Sequence, residues 1–190
     1  MTRYPESPTS VCVPDADLLL GQACAMDFVS DRQVNDRSFR ALTIVDAFSR
    51  KALAIDVGQR LEGEDVAAAP NRLVAKKSRP RVLFQGNGSE FTGRLLDLWA
   101  YHCQVRLNFS RPGKPTDNSF VETVNGLLRP ECLNINWFET IDEAKQIVEA
   151  WRRGYEESWP HMAHNGMPPG EFALWHKDLN DSQTGKGVEN

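Results

Sequence analysis

Apolar positions in the first third of the chain fall into short runs, and later ones recur at helical spacing. Ala23–Val29, Phe39–Val45 and Ala52–Val57 read as three strands, joined by polar segments carrying Asp31, Asn35, Asp36 and Ser49-Arg50. Short turns between β-type runs predict an antiparallel meander. Glu64–Lys77 reads as a helix with Pro70 inside it. A proline there costs about 3 kcal/mol in a helix interior, or else it marks a late helix start. Arg81–Gln85 predicts a fourth strand, Gly93–Tyr101 a helix rich in leucine, and Val105–Phe109 a fifth strand. In that last run Val105, Leu107 and Phe109 alternate with Arg106 and Asn108, the period of a half-buried strand. A helix is expected from Ser119 to Arg129, stopped by Pro130, and an amphipathic one over Ile141–Tyr155.

This order predicts an α/β fold, a five-stranded mixed sheet with helices on both faces. A chain of 190 residues holds one domain with a sizeable core. Residues 1–21, with Pro5, Pro8 and Pro14, read as an extended N-terminal linker. Residues 22–173 form the expected core and 174–190 a polar C-terminal tail, disordered over 176–190. With 41% hydrophobic and 25% charged residues, the composition is that of an ordinary globular protein. No apolar run approaches the length of a membrane span, and no basic segment precedes an apolar one as in a secretory signal. Cys12, Cys24, Cys103 and Cys132 form no Cys-x-x-Cys pair. That speaks against a zinc ribbon or disulfide framework and for the cytoplasm.

The net charge of −4 argues mildly against nucleic-acid binding, where phosphate neutralisation supplies most of the affinity. Local clusters point the other way: Arg106, Arg111 and Lys114; Lys76, Lys77, Arg79 and Arg81; Arg152 and Arg153. Each is either solvated surface charge or a place where DNA lies.

Two carboxylates stand out. Asp27 lies in the apolar run Cys24-Ala25-Met26-Asp27-Phe28-Val29. A carboxylate there needs a metal or a cation, unless its strand position faces water. Glu122 follows Ser119-Phe120-Val121, which fits a capping box, so it either caps a helix or does chemistry. Gly86 ends the fourth strand in Phe84-Gln85-Gly86-Asn87-Gly88-Ser89-Glu90-Phe91.

Asp27, the Gly86 segment and Asn118-Ser119-Phe120-Val121-Glu122-Thr123-Val124-Asn125-Gly126 together resemble the integrase catalytic core of insertion-sequence transposases of the OrfB type and of retroviral integrases. The likeness extends to Asp46-Ala47-Phe48-Ser49-Arg50, Arg111-Pro112-Gly113-Lys114-Pro115, Glu131-Cys132-Leu133-Asn134, Trp137-Phe138, Trp151-Arg152-Arg153, Pro160-His161 and Pro169-Gly170-Glu171-Phe172. It implies a ribonuclease H-like fold and a triad of Asp, Asp and Glu holding two Mg²⁺ or Mn²⁺ ions. Asp27 and Glu122 fall on two of the three positions, and Gly86 stands where the family has its second Asp. Gly86 marks decay or reuse of the copy, a deliberate substitution, or a corner filled by Glu90, Asp46 or Asp117.

The resemblance further implies DNA contacts from Asn87, Arg111, Lys114, Asn125 and Arg129. The implied partners are transposon ends and target DNA, further copies of the chain, and a helix-turn-helix domain or polypeptide. The activity implied is DNA cleavage and strand transfer, impaired by Gly86. The rivals are a non-catalytic DNA- or partner-binding module on the same fold and a ribonuclease H-type nuclease.

Overall fold

A computed structural model describes residues 19–76, 79–86, 88–110 and 118–184. Five strands form one sheet: β1 Ala23–Arg32, β2 Ser38–Asp46, β3 Ala52–Gly58, β4 Val82–Gln85 and β5 Arg106–Phe109. Their order is β3-β2-β1-β4-β5. The meander β1-β2-β3 is antiparallel, and β4 and β5 add in parallel to the other side of β1. The parallel additions need crossovers, supplied by α1 (Gly63–Lys76) and α2 (Arg94–Cys103). The mixed sheet expected from the element order is therefore present, and β1 is its central strand.

Strand alternation sends β1 side chains to two cores. Cys24 and Met26 join Leu42, Ile44 and Leu83 under α1 and α2, with Phe91, Leu96 and Trp99. Ala23 and Ala25 face the other side with Val45, Val82 and Phe84, against Phe120, Val121 and Val124 of α3 (Ser119–Leu128) and Tyr155 of α4 (Ile141–Ser158). Burying each large apolar side chain contributes about 1.5–3 kcal/mol.

The structure decides four expectations. First, of the two readings of Pro70 the helix interior holds: α1 runs from Gly63 with Pro70 inside, and Pro70 is buried along with Val66 and Ala69. Its ring packs inward, which offsets the missing hydrogen bond. Second, α3 ends at Leu128, next to the expected Arg129, but the chain does not leave the helical path at Pro130. The chain continues as a π turn over Arg129–Leu133, closed by Asn134 N–H donating to Arg129 O at 2.8 Å. The wider i→i+5 spacing accommodates a residue that lacks an N–H.

Third, the tail expected to be disordered is helical where it is described. The fifth helix, α5, spans Pro169–Thr184, and His176 packs on Phe48 and Phe172 with ring centroids 4.8 and 4.5 Å away. Fourth, Arg152 and Arg153 are not a free basic patch. Arg152 donates to Glu149 and Glu156 and to Ala52 O at 2.9 Å, and Arg153 donates to Glu149 at 3.0 Å. Residues 1–18 of the expected linker lie outside the described residues, and Leu19–Gln22 forms a turn into β1.

Candidate metal centre

Helix α3 lies along β1 and is anchored at both ends. Asn118 Nδ2 donates to Met26 O at 3.3 Å, and Arg129 Nη2 donates to Ser30 O at 3.1 Å. From Asn118 to Arg129 the helix advances roughly 16 Å, against roughly 13 Å for the strand between the two anchors. Glu122 lies one turn past the first anchor, on the helix that runs along β1. Glu122 is exposed, and desolvation by the neighbouring protein first, then the negative charge of Asp27, push its carboxyl above its ordinary range.

Burial likewise raises Asp27, opposed by a hydrogen bond from the Phe28 backbone and by the positive charge of Arg40. Asp27 is half-buried and lies opposite Thr43 of β2. Thr43 Oγ1 is buried without a hydrogen-bond partner.

The capping reading of Glu122 does not hold. Asn118, one residue before Ser119, is the cap, and no side-chain cap hydrogen bond closes the first turn. Ser119 is already helical, and its carbonyl accepts from Thr123 Oγ1 at 2.8 Å.

Gly86 follows the last residue of β4. A Cβ there would lie 3.4 Å from Asp27 Oδ1 and 3.7 Å from the Phe91 ring, both ordinary contact distances. The backbone thus has room for a side chain at 86 and aims it at Asp27.

The three proposed substitute carboxylates differ. Asp46 is buried and fully engaged, accepting from Ser49 N at 2.7 Å, Ser49 Oγ at 2.8 Å and Gly21 N at 2.8 Å. Glu90 is ion-paired with Arg40. Asp117 lies outside the described residues, as do Asn87, Arg111 and Lys114. Asn125 and Arg129 share Glu122's helix, and Asn125 Oδ1 is buried without a partner.

Among the described residues, no three His, Cys, Asp or Glu side chains converge to hold a metal ion. Asp27 and Glu122, each within reach of the other's charge, are donors of the kind a hard cation takes, one or two carboxylates with water and phosphate oxygens filling its shell. They do not fit the bridged pair of ions that the resemblance implies, because Gly86 offers no oxygen. The sequence reading missed Arg40, Thr43 and Asn118 as neighbours of the site. Arg40 had a signal, being the lone charge in the apolar run Phe39–Val45.

The central strand bearing Asp27, the helix bearing Glu122 and the sheet order above define a ribonuclease H-like α/β domain. Residues 20–115, just over half of the chain, and residues 103–169 match two family models, each described as an integrase core domain. The chain belongs to the integrase core family. It is 40% identical over 158 residues to the uncharacterized 31.7 kDa protein of insertion element IS407 from Burkholderia multivorans, covering 83% of this chain and 57% of that protein. It is 35% identical over 149 residues to the uncharacterized 39.2 kDa protein of insertion element IS476 from Xanthomonas euvesicatoria, covering 78% of this chain and 43% of that one.

The chain therefore spans about half the length of these relatives. Among solved structures, the fold matches a simian T-cell lymphotropic virus intasome (TM-score 0.68, 18% identity, 82% of this chain and 55% of that one). It also matches the catalytic core domain of BIV integrase (TM-score 0.63, 14% identity, 84% of this chain and 98% of that one). Among the described residues, no helix is long and apolar enough to cross a membrane.

Proposed function

We propose that this domain is the DNA-processing core of an insertion-element transposase, that it acts on phosphodiesters at element ends and target, and that Gly86 impairs it. The carrying observation is that the backbone at 86 aims at Asp27, whose charge also acts on Glu122 of α3. Asp27 and Glu122 would hold Mg²⁺ or Mn²⁺, which when bound stabilises charge on the attacking and leaving oxygens of an in-line displacement. Without an oxygen at 86 the second ion has no third corner. Loss of one transition-state electrostatic contact lowers rates by about 10²–10³, and loss of a metal ligand costs at least that.

Asn125 and Arg129 continue Glu122's helix toward Ser30, which supports a role for them on DNA, alongside Asn87, Arg111 and Lys114. The working assembly in this reading contains further copies of the chain and a separate helix-turn-helix element for end recognition, in the bacterial cytoplasm.

Calorimetric titration of Mn²⁺ tests the site. Gly86→Asp is expected to bind at least about tenfold more tightly than the unmodified chain, the scale of one added charged ligand, and Asp27→Asn to abolish binding. Equal binding by both chains, lost in Asp27→Asn, would assign the third corner to another carboxylate. Binding that survives Asp27→Asn would sink the site altogether. With Gly86→Asp in hand, joining of element-end duplexes but not cleavage of RNA–DNA hybrids is expected; the reverse preference would make it a ribonuclease H-type nuclease.

A further inference from the structure

The turn after β4 is tied back onto the sheet by a stacked, charged assembly that the metal site does not use. Arg40 lies in β2 opposite Ser30. Its guanidinium sits 3.9 Å above the Phe28 ring, and Phe28 stacks on Phe91 with ring centroids 5.2 Å apart. The same guanidinium is ion-paired with Glu90 Oε1, while Ser89 Oγ donates to Glu90 Oε2 at 3.2 Å.

Within the turn, Phe91 N–H donates to Gly88 O at 2.9 Å and Thr92 Oγ1 to Ser89 O at 3.0 Å. The Arg40 and Glu90 side chains are 29% and 26% exposed, so the pair is shielded more than an ordinary surface ion pair of negligible worth. Its hydrogen bond to Arg40 holds the Glu90 carboxyl below its usual range.

The Phe91 ring that closes this stack is also the second neighbour of position 86, after Asp27. The Phe91 ring thus forms one wall of the space that a side chain at 86 would occupy beside Asp27. We propose that Arg40 and Glu90 are positioning residues: their ion pair, seated on the Phe28–Phe91 stack, holds the turn after β4 so that position 86 faces Asp27. The importance of that direction rests on the function proposed above, but the fastening of the turn is a property of this chain as it stands. Glu90 on this account is not a spare metal ligand, because its carboxylate is committed to Arg40.

Charge and position make opposite demands at Arg40, and that separates them experimentally. Arg40 lowers Asp27 through its positive charge, so on charge alone its removal should strengthen cation binding. On positioning, removal should weaken it.

Amide hydrogen exchange at Phe91 in the unmodified chain reads the fastening directly. Arg40→Met and Glu90→Met should each speed it by about tenfold, the equivalent of one charge-assisted hydrogen bond. The double exchange Arg40→Glu with Glu90→Arg should bring it back within a few-fold. Singles that exchange like the unmodified chain, or a double no slower than the singles, would overturn the proposal.

In the Gly86→Asp background, adding Arg40→Met should weaken Mn²⁺ binding about tenfold; equal or tighter binding would overturn it. If Gly86→Asp alone takes up no Mn²⁺ while the exchange effects hold, the proposed function falls and the fastening of the turn stands.

Discussion

Asp27 is poorly accommodated as a charge. It is half-buried, and burial raises its carboxyl against the hydrogen bond from the Phe28 backbone and the positive charge of Arg40. Its pKa is raised in the folded chain, so the folded state binds this proton more tightly than the unfolded one. The corresponding stability is present at low pH and lost as pH rises through the folded value. At neutral pH the group is a net burden, and Asp27→Asn should raise the thermal unfolding midpoint by about 2–4 °C, the equivalent of roughly 1 kcal/mol for a domain of this size. Scanning calorimetry of the two chains at pH 7 checks this; a lowered midpoint would mean that the carboxylate holds structure together.

The unusual placement of Asp27 is legible in its sequence neighbours, since a carboxylate between Met26 and Phe28 in a strand is anomalous. Glu122 is not legible in the same way. The local pattern Ser119-x-x-Glu122 reads as a cap, and only Asn118, turned to the Met26 carbonyl, starts the helix one residue earlier and leaves Glu122 out of the cap.

Among the elements, α3 and the π turn after it set the depth at which the next segment meets the sheet. The π turn buries Cys132 and Leu133 against Val29, Phe39 and Leu128. The chain then returns so that Val34 N–H donates to Phe138 O at 3.0 Å. The neighbours Trp137 and Phe138 are treated oppositely, 82% and 1% exposed, with Phe138 edge-on to Phe39 at 5.3 Å.

Phe138→Ala should destabilise the fold by about 3–5 kcal/mol through the cavity it leaves, while Trp137→Ala should stay within about 0.5 kcal/mol. Urea unfolding of both variants checks this, and similar losses for the two would contradict the packing described. Residue type alone did not separate this pair, because an apolar dipeptide in a loop offers no periodicity. The fate of Pro130 was hidden for a related reason: a missing N–H ends a helix or widens it, and the packing of Cys132 and Leu133 decides which.

At the scale of the whole molecule, the chain's end is joined to the β2–β3 turn by an aromatic cluster. His164 is buried and lies flat on Phe172 of α5, ring centroids 3.9 Å apart, with His161 at 4.9 Å. Phe48 packs on Phe172 and His176. Burial first, then the neighbouring His161 and Arg50, push His164 down to about 4. A histidine depressed from 6.5 is neutral in the folded state while the unfolded chain takes up a proton. Its contribution to stability is therefore complete above about 6.5 and lost as pH falls to about 4. The unfolding midpoint should decline across that window, and His164→Phe should flatten the decline. An unchanged slope in the variant would place the acid sensitivity elsewhere.

The order of elements, the mixed sheet and its two helical faces followed from the sequence alone, because strand and helix periods are local properties of apolar spacing. The anomaly of Asp27 was visible from its own neighbours, whereas the absence of a carboxylate at Gly86 is an expectation that only the family resemblance raises. Only the tertiary structure decided which side chains meet. Arg40 finds Glu90 across 50 positions of sequence, Asn118 finds Met26 across 92, and α5 is held against the β2–β3 turn by aromatic packing. Such contacts have no local signature: strand register, helix placement and burial create them together, and an isolated segment contains none of the three.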